Sequence, residues 1–267
     1  MSWIWPQFRR FQKLISPILE RVLKYQIIKF WGINHIVVAA YDTYKGVEAT
    51  PLRLIKEYVD VGSVVIDVGA HYGYFTTRFS ELVGSNGQVI ALEPNVSSCA
   101  VLERRVNRQR LKNVQVLSCA AWSATTNLHL VEDGPLGAMT RVSITTGAEH
   151  GETKGRSIDD IVGDLQERRV SFIKIDVEGA ELEVLNGALM TLRDLRPTIL
   201  CEVGSENQTD PEQHVTALFS LIRKTCYECL DVGTKTRLTK EELISSLSRL
   251  RYIEVLICPQ VKYGSYR

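Results

Sequence analysis

The sequence has 267 residues, of which 45% are hydrophobic and 24% charged, which allows one large globular domain or one domain with a small appendage. The formal net charge of +1 provides no overall positive field for a polyanion, which argues against a nucleic acid as the partner. Cys226 and Cys229 form a single C-x-x-C pair without the further ligands that zinc needs, so we interpret the six cysteines as reduced thiols of a cytoplasmic protein.

Residues 1–49 precede the regular α/β pattern and are predicted to form a basic amphipathic helical extension. A helix should begin at Ser16, because a serine cap followed by Pro17 is a common helix start. Two interpretations stay open: peripheral contact with an anionic membrane surface, or a helix packed across the domain as a lid or dimer element, which we favour. No apolar run reaches the roughly 18 residues of a membrane span, and none resembles the core of a secretory signal.

Short apolar runs alternate with helical patterns from about Thr50, which predicts a Rossmann-like α/β domain over residues 50–267. The sheet should be mainly parallel, with helices on both faces. The predicted strands are residues 64–68, 88–93, 114–117, 172–176, 198–203, 229–231 and 252–257. Helices are predicted through Phe75 to an end near Gly84, from Ser97 or Ser98, from Ser157, from Ala180 to Leu195, and from Glu241 to Leu247.

An insert interrupts this alternation at about residues 125–155. Apolar and polar residues alternate on either side of Asp133-Gly134-Pro135, which predicts a hairpin. Residues 146–155 are rich in glycine and charge and are predicted to be a mobile loop.

The carboxyl ends of the first two predicted strands indicate a nucleoside site. There, Gly69 lets the backbone approach a ligand, and Glu93 can accept both hydroxyls of a ribose. The phosphate fingerprint G-x-G-x-x-G is absent, since three bulkier residues separate Gly69 from Gly73. Asp67 would repel a pyrophosphate but attract the ammonium and sulfonium of S-adenosylmethionine, which is the predicted cofactor. An NAD(P)-dependent oxidoreductase and a non-catalytic nucleoside-binding module are the alternatives.

Four segments resemble the FkbM family of S-adenosylmethionine-dependent methyltransferases, and together they extend over about residues 51–203. They are residues 65–76 (VIDVGAHYGYFT), 89–95 (VIALEPN), 172–188 (FIKIDVEGAELEVLNGA) and 196–202 (RPTILCE). The third segment is the most specific, whereas the first two mark only the broad class. His71 departs from the family, which often has asparagine there. The resemblance implies a seven-stranded sheet with an antiparallel last strand, and O-methylation of sugars, polysaccharides or secondary metabolites.

The resemblance also implies the positions of the sites. The glycine turn with Asp67 would hold the amino-acid end of the cofactor, Glu93 its ribose, and the turn after the third strand its adenine. The cofactor-binding residues implied are Asp67, Gly69, Ala70, His71, Gly73, Glu93, Pro94, Asn95, Cys119 and Ala120. Asp176 would lie nearest the reacting methyl group.

Methylation of a hydroxyl needs a base, because an alcohol is a poor nucleophile at neutral pH. We hypothesise that Asp176 or Glu178 is this base, with Lys174 or Glu202 as its neighbour, and that the acceptor is a sugar, glycan, lipid or secondary metabolite. Glu181 is interpreted as a solvated acid of a first helical turn. No metal is predicted, although Asp176 and Glu202 could hold a divalent cation that acidifies a vicinal diol.

Overall fold

The computed structural model describes residues 42–43, 52–133, 139–143, 151–165, 169–205 and 207–260. The helix predicted from Ser16 lies outside these residues, as do residues 146–150 of the predicted loop. Within the described ranges, no helix has both the length and the apolar character needed to cross a membrane.

All seven strands predicted for the sheet are confirmed, with ends that differ by no more than two residues. The strands are β1 (Val64–Val68), β2 (Gln88–Leu92), β3 (Val114–Leu117), β4 (Ala120–Ala121), β5 (Thr126–Asp133), β6 (Met139–Ser143), β7 (Glu152–Arg156), β8 (Val170–Ile175), β9 (Thr198–Gly204), β10 (Tyr227–Asp231) and β11 (Tyr252–Pro259). The helices are α1 (Leu52–Ile55), α2 (Tyr74–Val83), α3 (Val96–Gln109), α4 (Ile158–Gly163), α5 (Glu181–Asn186), α6 (Leu189–Asp194), α7 (Pro211–Lys224) and α8 (Lys240–Leu247).

The main sheet has seven strands in the order β10–β11–β9–β8–β1–β2–β3. The strands from β9 to β3 run parallel, whereas β11 runs antiparallel to both β9 and β10. The predicted mainly parallel sheet with an antiparallel last strand is therefore confirmed. The chain moves outwards from β1 to β3 and then returns to β8 on the other side of β1. The carboxyl ends of β1 and β8 are therefore neighbours at the switch point, where ligands of such sheets bind.

Helices cover both faces of the sheet, because successive side chains of a strand point to opposite faces. In β1, Val64, Ile66 and Val68 pack with the helices from α4 to α8. Val65 packs with α1 and α2 on the other face. The alternation places Asp67 on the same face as Val65, at the end of the strand that meets the start of α2.

A second sheet, in the order β4–β7–β5–β6, lies between β3 and α4 along the chain. Strands β5 and β6 pair antiparallel, so the predicted hairpin is confirmed. The prediction of a loop is wrong for residues 152–155, which pair with β5 as part of β7. Gly155 allows this pairing. A Cβ there would lie 2.8 Å from Leu128 Cδ1, so glycine permits the close approach of β5 and β7.

The helix predicted from Ala180 to Leu195 is in fact two helices, α5 and α6, which separate at Gly187. A Cβ at Gly187 would overlap the carbonyl oxygen of Trp122 and lie 3.0 Å from its carbonyl carbon. The Gly187 carbonyl also accepts a 2.8 Å hydrogen bond from the Asp159 amide. Contact with distant backbone therefore breaks the helical pattern.

Two helix starts also differ from expectation. Helix α3 begins at Val96, because Asn95 and not a serine caps it through the Ser98 amide. Helix α7 was not predicted, although Asp210 caps it and Pro211 occupies its first turn, which is a common start.

Candidate active site

Asp67 is a buried acid near the end of β1, with only 1% of its surface exposed. The Thr76 hydroxyl donates a 2.6 Å hydrogen bond to its Oδ2, and Lys174 is its partner in the register of β1 and β8. Burial raises the pKa of Asp67, whereas the charge of Lys174 and the bond from Thr76 act in the opposite direction. Oδ1 is buried and accepts no hydrogen bond from the described part of the chain, so a donor group of a ligand can satisfy it.

The turn between β1 and α2 has a left-handed backbone at Gly69, His71 and Gly73, with φ angles of 78°, 48° and 80°. Glycine is required at the first of these positions. A Cβ on Gly69 would overlap the carbonyl oxygen of Asp176 and lie 2.9 Å from its carbonyl carbon. The predicted cofactor turn therefore packs directly against the predicted catalytic acid.

The backbone amides of this turn donate hydrogen bonds within the protein. The amides of Gly69 and Ala70 both donate to the carbonyl oxygen of Leu92, each at 3.0 Å. The His71 amide donates to Glu93 Oε2 at 2.8 Å. A pyrophosphate needs such amides as donors, so this turn is a poor match for a dinucleotide.

Glu93 directly follows β2 and is 4% exposed. Its two oxygens accept hydrogen bonds from the amides of His71 and Asn95, each at 2.8 Å. Burial raises the pKa of Glu93 to about 7, although the two amides act in the opposite direction. A carboxylate has about four acceptor positions, so Glu93 retains acceptors for the two hydroxyls of a ribose.

Two predicted cofactor residues lie immediately after Glu93. Pro94 is half-buried, whereas Asn95 is buried. The Asn95 side-chain oxygen accepts the Ser98 amide at 3.0 Å as the cap of α3. The structure therefore gives Asn95 a helix-capping role, and contact with a ligand would use its other atoms.

Cys119 and Ala120 follow β3 and are both buried. The carbonyl oxygen of Leu117 accepts the amides of Glu93 and Cys119, at 3.1 and 3.0 Å, which brings this turn beside Glu93. Burial raises the pKa of the Cys119 thiol to about 11. The thiol is thus a neutral group of the kind that packs against an apolar ring.

Lys174, Asp176, Glu178 and Glu202 lie together at the carboxyl ends of β8 and β9. The Lys174 ammonium donates a 2.9 Å hydrogen bond to Asp176 Oδ2 and lies 4.7 Å from the ring centre of Phe75. Carboxylate oxygens of Asp176, Glu178 and Glu202 all lie within 4.8 Å of one another. We call these three acids the acid cluster. Lys174, Asp176 and Glu178, the residues predicted to be catalytic, are therefore neighbours.

The acid cluster can support two kinds of chemistry. A carboxylate at this position can accept the proton of a hydroxyl group. Three carboxylates this close together are also ligands of the type that a hard divalent cation prefers. The ammonium of Lys174, only 3% exposed, offsets part of their mutual repulsion.

A surface cleft opens beside the acid cluster. Its lining residues are Glu178, Gly179, Glu181, Glu202, Gly204, Asn207, Arg251 and Tyr252. Arg251 and Tyr252, both exposed at the start of β11, were not predicted as site residues. The sequence offers no signal for them, because only the antiparallel pairing of Tyr252 with Gly204 brings them to this edge of the sheet.

The prediction that Glu181 is a solvated acid is wrong, since it is 1% exposed. Its Oε1 accepts the Gly179 amide at 2.9 Å. Its Oε2 lies 3.1 Å from His214 Nε2, without the alignment of a hydrogen bond. An acid in a first helical turn is ordinarily exposed, and here helix α7, which carries His214, covers it.

The order of the strands, with Asp67 near the end of β1 and Glu93 directly after β2, defines a Rossmann-like methyltransferase fold. A sequence model of the methyltransferase FkbM domain matches residues 67–229, more than half of the chain, and the chain therefore belongs to this family of S-adenosylmethionine-dependent methyltransferases. The resemblance seen in the sequence is thus confirmed, and the cofactor is S-adenosylmethionine. A search of curated protein sequences finds no match to this chain.

Solved structures with a similar fold include an FkbM methyltransferase from Methylobacillus flagellatus, with 19% identity, a TM-score of 0.47 and coverage of 73% of this chain. This chain spans 43% of the length of that protein. A methyltransferase from Aquifex aeolicus has 15% identity and a TM-score of 0.45, with coverage of 83% of this chain and 95% of its own. Fibrillarin from Aeropyrum pernix, with natively bound S-adenosylmethionine, has 13% identity and a TM-score of 0.45, with coverage of 75% and 68%. Because these TM-scores are below 0.5, the family assignment depends on the sequence match.

Proposed function

We propose that this chain is an O-methyltransferase that transfers the methyl group of S-adenosylmethionine to a hydroxyl of a sugar, glycan, lipid or secondary metabolite. The observation that carries the proposal is the contact between the cofactor turn and the acid cluster, since Gly69 packs on the backbone of Asp176. A hydroxyl acceptor needs a base next to the methyl group. The acid cluster supplies carboxylates at that position.

The residues around the turn fit the cofactor. Asp67 offers a buried negative charge and an unsatisfied acceptor for the ammonium end. Glu93 offers acceptors for the ribose, and Cys119 offers a neutral thiol for the adenine. When bound there, S-adenosylmethionine supplies a methyl group that its positively charged sulfur has already activated.

The protein then has to orient the acceptor and remove its proton. Asp176 or Glu178 acts as the base in this proposal, and Lys174 holds Asp176 through the 2.9 Å bond to Oδ2. A positioned base contributes about 100-fold to 10,000-fold to a rate. The acceptor enters through the cleft that ends at the acid cluster.

The test is transfer of tritium from labelled S-adenosylmethionine to glycan, lipid and polyketide fractions. Asp176→Asn should lower turnover at least about 100-fold, because the base is lost, while calorimetry still detects cofactor binding. Glu212→Gln changes an exposed acid at the start of α7 and is the control. Unchanged turnover in both Asp176→Asn and Glu178→Gln would remove the base from the proposal. If calorimetry detected no cofactor binding to the wild-type chain, the proposal as a whole would fail.

The grouping of three acids favours one variant of this mechanism, in which the acid cluster holds a divalent cation. The cation would lower the pKa of one hydroxyl of a vicinal diol, so a weaker base could remove its proton. Turnover should then disappear in a strong chelator and return when Mg²⁺ is added. Full turnover in the chelator would eliminate the variant.

The proposal further includes a cytoplasmic enzyme with residues 1–49 as an extension of a methyltransferase domain over residues 50–267. The net charge of +1 supports a small-molecule or glycan acceptor and not a nucleic acid. Peripheral membrane contact through the extension is the alternative, and co-sedimentation with anionic lipid vesicles would support it.

A further inference from the structure

The loop that carries Glu178 contains an unusual backbone conformation. Glu178 has a φ angle of 52°, in the left-handed region that residues with a Cβ seldom adopt, and Gly179 follows with a φ of 106°. Such a conformation persists only where the surrounding structure fixes it, and it is frequent at functional sites. The neighbouring residues should therefore show what holds Glu178 in place.

Side chains hold the backbone of Gly179 at both its amide and its carbonyl group. Its amide donates to Glu181 Oε1 at 2.9 Å, and its carbonyl oxygen accepts a hydrogen bond from Gln208 Nε2 at 2.7 Å. A Cβ at Gly179 would lie 3.0 Å from the Cβ of Asn207, so the loops after β8 and β9 are in close contact here. We call Glu181 and Gln208 the peptide clamp.

Burial makes the Glu181 side of the clamp effective. Glu181 is 1% exposed, so water competes little for the bond to the Gly179 amide. Glu181 fixes the peptide between Glu178 and Gly179, and Gln208 fixes the peptide after it. Together they restrict the direction in which the Glu178 side chain leaves the loop.

We infer that Glu181 and Gln208 are positioning residues of the active site. By holding the amide and the carbonyl group of Gly179, they keep Glu178 in its left-handed conformation. That conformation groups the Glu178 carboxylate with the other two acids of the acid cluster. The inference rests on the proposed function, because it gives the clamp a role in methyl transfer.

Amide hydrogen exchange at Gly179 tests the clamp without any acceptor, by NMR on protein with isotopically labelled glycine. Glu181→Leu removes the acceptor and should speed exchange about ten-fold, as expected for the loss of a buried hydrogen bond. Glu181→Gln keeps a side-chain oxygen and should stay close to the wild type. Gln213→Ala changes an exposed glutamine of α7 and is the control. Equal exchange rates in Glu181→Leu and the wild type would overturn the inference.

Methyl transfer to the acceptor fraction identified by the tritium screen tests the positioning role. We expect kcat to fall about ten-fold in Glu181→Leu and Gln208→Leu, with Glu181→Gln near the wild type and the Kd for S-adenosylmethionine within about two-fold. A merely structural role would lower stability in these variants without lowering kcat of the folded enzyme. Unchanged kcat in a variant with fast Gly179 exchange would overturn the inference.

Misfolding of a variant and failure of the proposed function can each be distinguished from failure of the inference. If Glu181→Leu does not fold, Gln208→Leu decides, since Gln208 is only half-buried and its loss leaves no buried charge unpaired. If the wild-type chain transfers no methyl group to any fraction, the proposed function fails, and with it the positioning role. The exchange rates then still decide whether the clamp holds the loop.

Discussion

Glu93 should make the stability of the cofactor-free protein depend on pH in a way that Glu93→Gln removes. Burial raises the pKa of Glu93 in the folded chain from its ordinary value of 4.5 to about 7. The folded state therefore binds the proton of the Glu93 carboxyl group more tightly than the unfolded state does. The resulting stabilisation is fully present below pH 4.5 and is lost as the pH rises through about 7. The difference between 4.5 and about 7, at about 1.4 kcal/mol for each pH unit, amounts to about 3–4 kcal/mol.

The measurement is the free energy of unfolding in urea, at pH values between about 4 and 8, for the wild type and Glu93→Gln. The wild type should lose about 3 kcal/mol relative to the variant over this range, because only the wild type buries a charge at high pH. Glu103→Gln, on the exposed face of α3, is the control and should follow the wild type. Parallel curves for the wild type and Glu93→Gln would refute the account of a buried acid with a raised pKa.

Cofactor binding should show the opposite dependence on pH. In the proposed site, the ribose hydroxyls would donate hydrogen bonds to the charged form of Glu93, so binding would have to remove the Glu93 proton at low pH. Below a pKa of about 7, affinity for S-adenosylmethionine should therefore fall by up to about ten-fold for each pH unit. The dependence should disappear in Glu93→Gln, whose overall affinity is lower. Calorimetry between about pH 5.5 and 8 measures both effects.

Two further predictions concern packing around the cofactor turn. Gly69→Ala should lower the free energy of unfolding by at least about 2 kcal/mol. The added methyl group would overlap the carbonyl oxygen of Asp176, and alanine disfavours the left-handed φ of 78° at this position. Gly163→Ala, with nothing within 4 Å of its Cβ, is the control, and equal stability of the two variants would contradict the close packing. Asp42→Asn should cost about 1–3 kcal/mol, since both oxygens of Asp42 accept from the buried Arg105 guanidinium at 2.8 Å. Asp164→Asn opens an exposed ion pair and should cost about 0.5 kcal/mol or less, so an equal cost for both changes would refute the importance of the Asp42 pair.

The sequence was most informative where local pattern and burial agree. The strand that contains Asp67 could be predicted, because a short run of β-branched residues interrupted by a single acid is typical of a buried strand that ends at a functional site. Its position beside Asp176 followed from the order of the strands, since β1 and β8 meet at the switch point. The local sequence was therefore sufficient to predict both the strands and the edge of the sheet at which their acids meet.

Contacts between distant segments could not be predicted in this way. The break at Gly187 depends on the backbone of Trp122, which belongs to the segment between β4 and β5. The burial of Glu181 depends on α7, a helix that the sequence pattern did not predict, and on His214 within it. In each case the local pattern was consistent with a simpler structure, and a tertiary contact decided the outcome.

The hydrogen bonds of the cofactor turn give a physical reason for the choice of cofactor. In a dinucleotide site the amides at the start of the helix point at phosphate oxygens. Here the Gly69 and Ala70 amides donate to Leu92, and the His71 amide donates to the carboxylate of Glu93. A bound phosphate would have to break these bonds and would also face the charge of Asp67. A ligand with a positively charged amino-acid end and a ribose would leave these bonds intact and would be attracted by Asp67. The carboxylates of Asp67 and Glu93 are already held in place, by the Thr76 hydroxyl and the His71 amide.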